Sequence, residues 1–255
     1  MKPLSFVLVL ILSITAAHAA DGDIVKSNGA VHIANGQTAG DIRTTNGSVR
    51  LGDGSHVHKV TTANGSIKMG PRASAQALRA TNGAITVGAH CHIGGAITAT
   101  NGAVRLGEGS VIDGKASTGN GSISLYDAHV AGGLATRSGA VTIGPGSRVE
   151  GGVKTVDSSV TVGAGAHVKG GLVVEASSNA SCVSNCTSNG SSSLFTWLFG
   201  SGAGSERPPR IVIGPGAVVE GALDFRRSVD LYVSDRAKIG PVKGATAKTF
   251  SGDEP

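Results

Sequence analysis

Large side chains are scarce in this chain. Only 3% of its 255 residues are aromatic: one Trp, two Tyr and five Phe. That argues against a core assembled around big rings. Charge is low as well, at 15% Asp, Glu, Lys and Arg, against about 25% in an ordinary soluble domain. Glycine reaches 40 residues, but without the every-third-residue period of collagen. The longest apolar run, residues 4–14, falls short of the roughly 20 residues a membrane span needs.

That run belongs to a leader. Lys2 gives a short positive start, and Ala17-His18-Ala19 is a small-x-small cleavage site, so residues 1–19 are expected to be a secretory signal peptide. No cysteine follows the site, and lipoprotein processing is not indicated. The expected product is exported and soluble. Its formal net charge of +5 permits contact with acidic polymers without demanding it.

What fills the rest is a repeat. Asn-Gly pairs start coils at Asn28, Asn46, Asn64, Asn82, Asn101 and Asn120, and degenerate starts follow at Ser138 and Asp157. The spacing is 18 or 19 residues throughout. Apolar columns stand three and five residues after each start, as at Val49 and Leu51, and again four residues before the next, as at Val60. A column of small residues follows, including Thr44, Thr62, Ala80, Ala99 and Thr118. Within a coil the runs alternate with period two, which is the strand signature, and no segment keeps a helical period. Such short strands bury nothing alone, but equivalents stacked from successive coils make a continuous core. The expected fold is therefore all-β, a single-stranded β-helix (β-solenoid) of about ten coils. Left-handed hexapeptide helices share the 18-residue coil but not the slip to 19, so a right-handed helix is expected. Asn-Gly suits a corner with left-handed backbone angles, and stacked Asn side chains suit a hydrogen-bonded ladder. Glycines such as Gly52, Gly70 and Gly88 mark a second corner.

The coils are expected over residues 20–176 and 210–243. Residues 177–209 form a Ser/Asn-rich insertion with an aromatic tip, and 244–255 an unpatterned, disordered tail.

The segments Ile143-Gly-Pro-Gly-Ser-Arg-Val-Glu-Gly-Gly-Val153 and Val162-Gly-Ala-Gly-Ala-His-Val-Lys-Gly-Gly-Leu172 resemble the coil of bactofilins. These are polymer-forming β-helical proteins of small triangular section. The earlier Asn-Gly-Ser/Ala-Val/Ile coils are similar to adhesin-type β-helix domains of bacterial envelope proteins. Together the resemblance covers about residues 28–175 and 211–243. It implies end-to-end homo-oligomers and an envelope role, and its motifs are repeat consensus without catalytic residues. The leader departs from bactofilins, which are cytoplasmic or face the cytoplasm, and this places a cytoskeletal role in doubt.

Few residues suggest chemistry. Glu108 and Asp127 fall on neighbouring coils, where two carboxylates suit Ca²⁺ or a retaining glycosidase pair, or are simply solvated turn residues. His56, His92, His129 and His167 recur in every other coil, about 10 Å apart, too far to share one metal. No metal site and no cofactor is expected. Arg43, Arg50, Lys68, Arg79 and Arg105 suggest a basic face for lipopolysaccharide or another anionic envelope glycan. Without stacking aromatics beside them, no nucleic-acid partner is expected. The Thr column points inward by this register, which argues against ice binding.

In the insertion, Cys182 and Cys186 are a candidate local disulfide, leaving Cys91 over. Phe195, Trp197 and Phe199 form a candidate interaction tip for a partner, a glycan or a membrane surface, or else fold back on the solenoid. The resulting expectation is an exported, non-enzymatic envelope protein of the periplasm or cell surface, acting in adhesion, scaffolding or self-association. The alternatives are a glycan-binding or glycan-active β-helix, and a membrane-associated module docking through the aromatic insertion.

Overall fold

The computed structural model describes residues 22–176 and 208–255. The leader, Cys182 and Cys186, and the tip residues Phe195, Trp197 and Phe199 lie outside the described residues.

Every described strand pair is parallel, and the chain is a β-solenoid of about ten turns. Three short strands make one turn. Side one runs through eleven strands, from Val31–Ile33 to Ala247–Phe250. Side two runs from Thr38–Ala39 to Lys238–Ile239, and side three from Ile24–Asn28 to Val242–Lys243. Two long strands, His56–Thr62 and Ser74–Ala80, bend around the corner from side two to side three and join those sides into one sheet.

The period-two alternation decides what is buried. In Val49-Arg50-Leu51 the outer two residues point in and the middle one out, and the same holds coil after coil. Partners stack in strict register, as in Val49↔Ile67↔Ile85↔Val104, so the core is a set of apolar columns along the axis. The Thr column also points inward. Thr62, Thr118 and Thr136 donate to the carbonyls of Gly47, Gly102 and Gly121 at 3.0, 2.8 and 3.2 Å. A second inward column of small residues, absent from the sequence reading, lines the corner between sides one and two: Ser55, Ala73, Cys91, Ser110, Ala128 and Ser147.

The asparagine ladder forms along the corner between sides three and one. Asn46 donates to Asn28, and Asn64, Asn82, Asn101 and Asn120 each donate to the asparagine before, at 2.8–3.0 Å. The glycines of these pairs correct an expectation in part. Gly29 takes a positive φ of 96°, as does Gly139 after the degenerate start at Ser138, with φ 126°, but Gly47, Gly65, Gly83, Gly102 and Gly121 do not. They are needed because successive coils approach too closely for a side chain: a Cβ on Gly83 would fall on the carbonyl oxygen of Gly65. Most of the left-handed angles fall at the corner between sides one and two, at Gly36, Gly54, Arg72, His90, Gly109, Asp127 and Gly146.

The insertion leaves the register intact. Val160 pairs with Ile211 and Leu172 with Leu223, so the coil resumes in phase after residue 208. The tail is a second correction. Ala247–Phe250 is a strand paired with Asp230–Ser234, because an open strand edge accepts main-chain hydrogen bonds whatever the side-chain pattern. Beyond it the chain turns down the flank of the rod, where Ser251 donates to Asp235 at 2.8 Å and Arg210 to the carbonyl of Pro255 at 3.0 Å.

Candidate functional site

Outward positions carry whatever the molecule offers to a partner, and the solenoid sorts them into columns. On side two His56, Ser74, His92, Val111, His129, Arg148 and His167 stand in one register, as the spacing requires. Three of these histidines engage neighbouring coils. His56 Nδ1 lies 2.6 Å from Ser74 Oγ, His92 Nε2 2.9 Å from Asp113 Oδ2, and His167 Nε2 2.7 Å from Glu220 Oε1. His58 makes a similar contact with Asp41 at 2.7 Å.

Glu108 and Asp127 occupy the corner between sides one and two in adjacent coils, both exposed. Their backbones carry the coil stacking: the Glu108 carbonyl accepts from His90 N–H and that of Asp127 from Gly109 N–H. That corner is one residue short in Asp127's coil, and Asp127 itself takes the left-handed angle, with φ 45°. Among the described residues no three His, Cys, Asp or Glu side chains are grouped to hold a metal ion.

The five basic residues do not share one face. Arg50, Lys68 and Arg105 lie on side one, with Arg50 next to Lys68, and Thr86 between Lys68 and Arg105. Arg43 and Arg79 lie on side three with Thr61 between them. Sequence reasoning grouped them because all are outward, and outwardness does not say which of three sides is meant. The asparagine ladder runs along the corner between the two stripes.

Toward the C-terminal end the charges are paired. Lys154 Nζ meets Glu175 at 2.8 Å, Arg226 bridges Glu175 and Asp224 at 2.7 and 3.2 Å, and Arg227 pairs with Asp157. The hydrogen bond from Lys154, with the Arg226 charge beside it, holds the Glu175 carboxyl below its usual range. Asp224 in turn raises Arg226, and Asp230, 2.9 Å from Lys248, raises that lysine. The Tyr232 ring has Arg210 and Lys248 over it, at 4.9 and 5.2 Å from its centroid. A cleft of about 630 Å³ among the described residues lies here between Asp157, Arg227, Arg210 and Asp230.

Cys91 is buried and its thiol donates to the Gly70 carbonyl at 3.1 Å. Burial pushes the thiol above its ordinary value, against smaller opposing hydrogen bonds from the backbone around Ala73.

Comparison with known proteins leaves these features to speak for themselves: no family model, no curated protein and no solved structure matches the chain.

Proposed function

We propose that the chain is an exported, non-enzymatic scaffold of the bacterial cell envelope, a rod that holds the segment 177–208 at a fixed place on its flank for adhesion. The observation that supports this most is the unbroken register across that segment, Val160↔Ile211 and Leu172↔Leu223. A chain whose coil closes in phase around 32 extra residues uses the coil as a frame and the extra residues as cargo. The leader at residues 1–19 supports export. The likeness of the Asn-Gly coils to adhesin-type β-helix domains, and of the later coils to bactofilins, supports an envelope role. Phe195, Trp197 and Phe199 are the residues assigned to contact.

Fractionation of a bacterial host expressing the full chain tests export: cleavage before Ala20 and a periplasmic or surface location are expected, and a cytoplasmic uncleaved product overturns it. Co-sedimentation with isolated envelopes tests the assigned segment. Phe195→Ser, Trp197→Ser and Phe199→Ser together should abolish sedimentation while leaving the melting curve unchanged. Unchanged sedimentation would remove adhesion from the insertion. A parallel arm with lipid vesicles separates a protein or glycan receptor from direct docking to a bilayer.

A further inference from the structure

The three sides differ in charge in a way that no column shows by itself. Between residues 22 and 150 every Asp and Glu stands at one of the two corners bordering side two: Asp23, Asp41, Asp113 and Glu150 at one, Asp53, Glu108 and Asp127 at the other. Sides one and three, and the asparagine corner joining them, carry no acid over that length. They carry Lys26, Arg43, Arg50, Lys68, Arg79, Arg105 and Arg137 instead, and none of these makes an ion pair among the described residues. At the other end of the rod more cations are paired: Lys154, Lys169, Arg226, Arg227 and Lys248 have carboxylate partners, while Arg210, Lys238 and Lys243 make no ion pair among the described residues. The strands of side two carry no acid between residues 22 and 150 either, so the acids are confined to two corners, and the asparagine corner between sides one and three is the one kept free of them.

Side one has the simpler relief. Its outward column reads His32, Arg50, Lys68, Thr86, Arg105, Ser124 in register. Each strand is preceded by Ala or Ser (Ala30, Ser48, Ser66, Ala84, Ala103) and followed in most coils by glycine (Gly52, Gly70, Gly88, Gly107). The long cations therefore rise in single file from a flat bed. From Arg50 to Arg105 the file spans three strand spacings, about 14 Å. At its end Tyr126 takes the place of those glycines and is 57% exposed.

We propose that side one, from His32 to Tyr126, binds an extended acidic polysaccharide lying along the solenoid axis. Its carboxylate or sulfate groups sit on Arg50, Lys68 and Arg105, its hydroxyls meet Thr86 and Ser124, and a sugar ring face stacks on Tyr126. Arg43 and Arg79 on side three add attraction from a distance without direct contact. A linear anion suits a single file of cations spaced by strand stacking. A bilayer presents a plane of charge, and side one offers it one row of cations and a single exposed ring, Tyr126. A nucleic acid needs several stacking rings, and side one has one. This surface uses none of residues 177–208, so the inference stands or falls independently of the adhesive role proposed for them.

The test titrates the chain as exported with polygalacturonate, heparin and neutral dextran, and with duplex DNA and anionic vesicles at the same salt. Both acidic polysaccharides should bind and dextran should not, the tighter of the two telling carboxylate from sulfate. Arg50→Thr, Lys68→Thr and Arg105→Thr together, side chains the same column already accepts at Thr86, should weaken binding about tenfold or more. Lys59→Thr, Lys115→Thr and Arg148→Thr, the same charge loss around side two, should change it less than about threefold. Saturating polysaccharide should also shield Lys68, and not Lys59 or Lys115, from amine acetylation in the unaltered chain. Equal losses from the two triple variants, or unshielded Lys68, overturn the proposal. Tighter binding to DNA or vesicles than to either polysaccharide overturns the ligand class.

Discussion

Glycine performs two tasks in this molecule, and substitutions separate them. At Gly83 a Cβ meets the Gly65 carbonyl, so Gly83→Ala must push two coils apart. At Gly54 nothing lies within 4 Å of a Cβ, but φ is +65°. We expect Gly83→Ala to cost on the order of 3 kcal/mol or more, the scale of a buried backbone clash. Gly54→Ala should cost about 1–2 kcal/mol, and Gly54→Asn less, since left-handed angles suit Asn. Denaturant midpoints give the order, and a Gly54→Ala as damaging as Gly83→Ala would contradict it. Asn64 accepts from Asn82 and donates to Asn46, both at 2.8 Å, so Asn64→Ala should lose about 1–2 kcal/mol for two exposed hydrogen bonds. Apolar columns were legible because period two and the coil length act together. The left-handed corner was not, because Gly, Arg72, His90 and Asp127 all fill it and share no chemistry. Cys91 adds a pH effect with a defined sign. Its thiol is raised by burial, so above the ordinary value of 9.0 the unfolded chain gives up a proton that the folded chain keeps, and stability falls as pH rises. Cys91→Ser, which Ser55 and Ser110 show the column to accept, should flatten that alkaline slope.

At the scale of the coil, the insertion is removable. Ala176 and Pro209 take the positions that Asp157 and Ser158 hold one coil earlier, since Ile211 follows Val160 in register. Deleting residues 177–208 with Ala176→Asn and Pro209→Gly rebuilds an Asn-Gly corner of ordinary length. The shortened chain should keep its β-sheet circular dichroism and melt at or above the parent's temperature, because a shorter loop costs less entropy to close. A molten product would mean that the inserted residues hold the coils together. Lys154, Glu175, Arg226 and Asp224 cross-link coils just before and after this point. Glu175 is depressed chiefly by its hydrogen bond from Lys154, so the contribution is present above its ordinary 4.5 and fades as pH falls through the lower folded value. Acid titration of Glu175→Gln should therefore show a shallower loss of stability below that pH than the parent. The coil starts and their stacking register were legible from turn residues and the 18–19-residue spacing. Charge segregation follows only when the corners are applied to the outward residues: the Asn46-Gly47 corner stands between Arg43 and Arg50 and puts them on different sides, which grouping by outwardness alone overlooks.

The whole rod has two ends, and end-to-end association depends on how they match. A solenoid stacked head to tail would be a heterologous contact that never closes, and so a filament. Stacking in phase would set the terminal strands Lys238–Ile239, Val242–Lys243 and Ala247–Phe250 against Thr38–Ala39, Ile24–Asn28 and Val31–Ile33. Lys238 would then face Thr38, Lys243 would face Val25, and Lys248, already paired with Asp230, would face His32. One lysine thus stands on each of the three terminal strands and none meets an acid across the joint, which is how edge strands are commonly kept from pairing. This favours a solitary rod over the polymer that the bactofilin resemblance implies. Light scattering of residues 20–255 should give a monomer at physiological salt, with isolated particles in negative stain. Replacing Lys238, Lys243 and Lys248 by Thr should turn the distribution toward linear oligomers, because the edges keep their hydrogen-bonding groups and lose the charge that guards them. Filaments of the unaltered chain would show instead that backbone pairing at the ends outweighs those lysines. The rod would then act in the envelope as a polymer, with the acid-free sides repeated along its length.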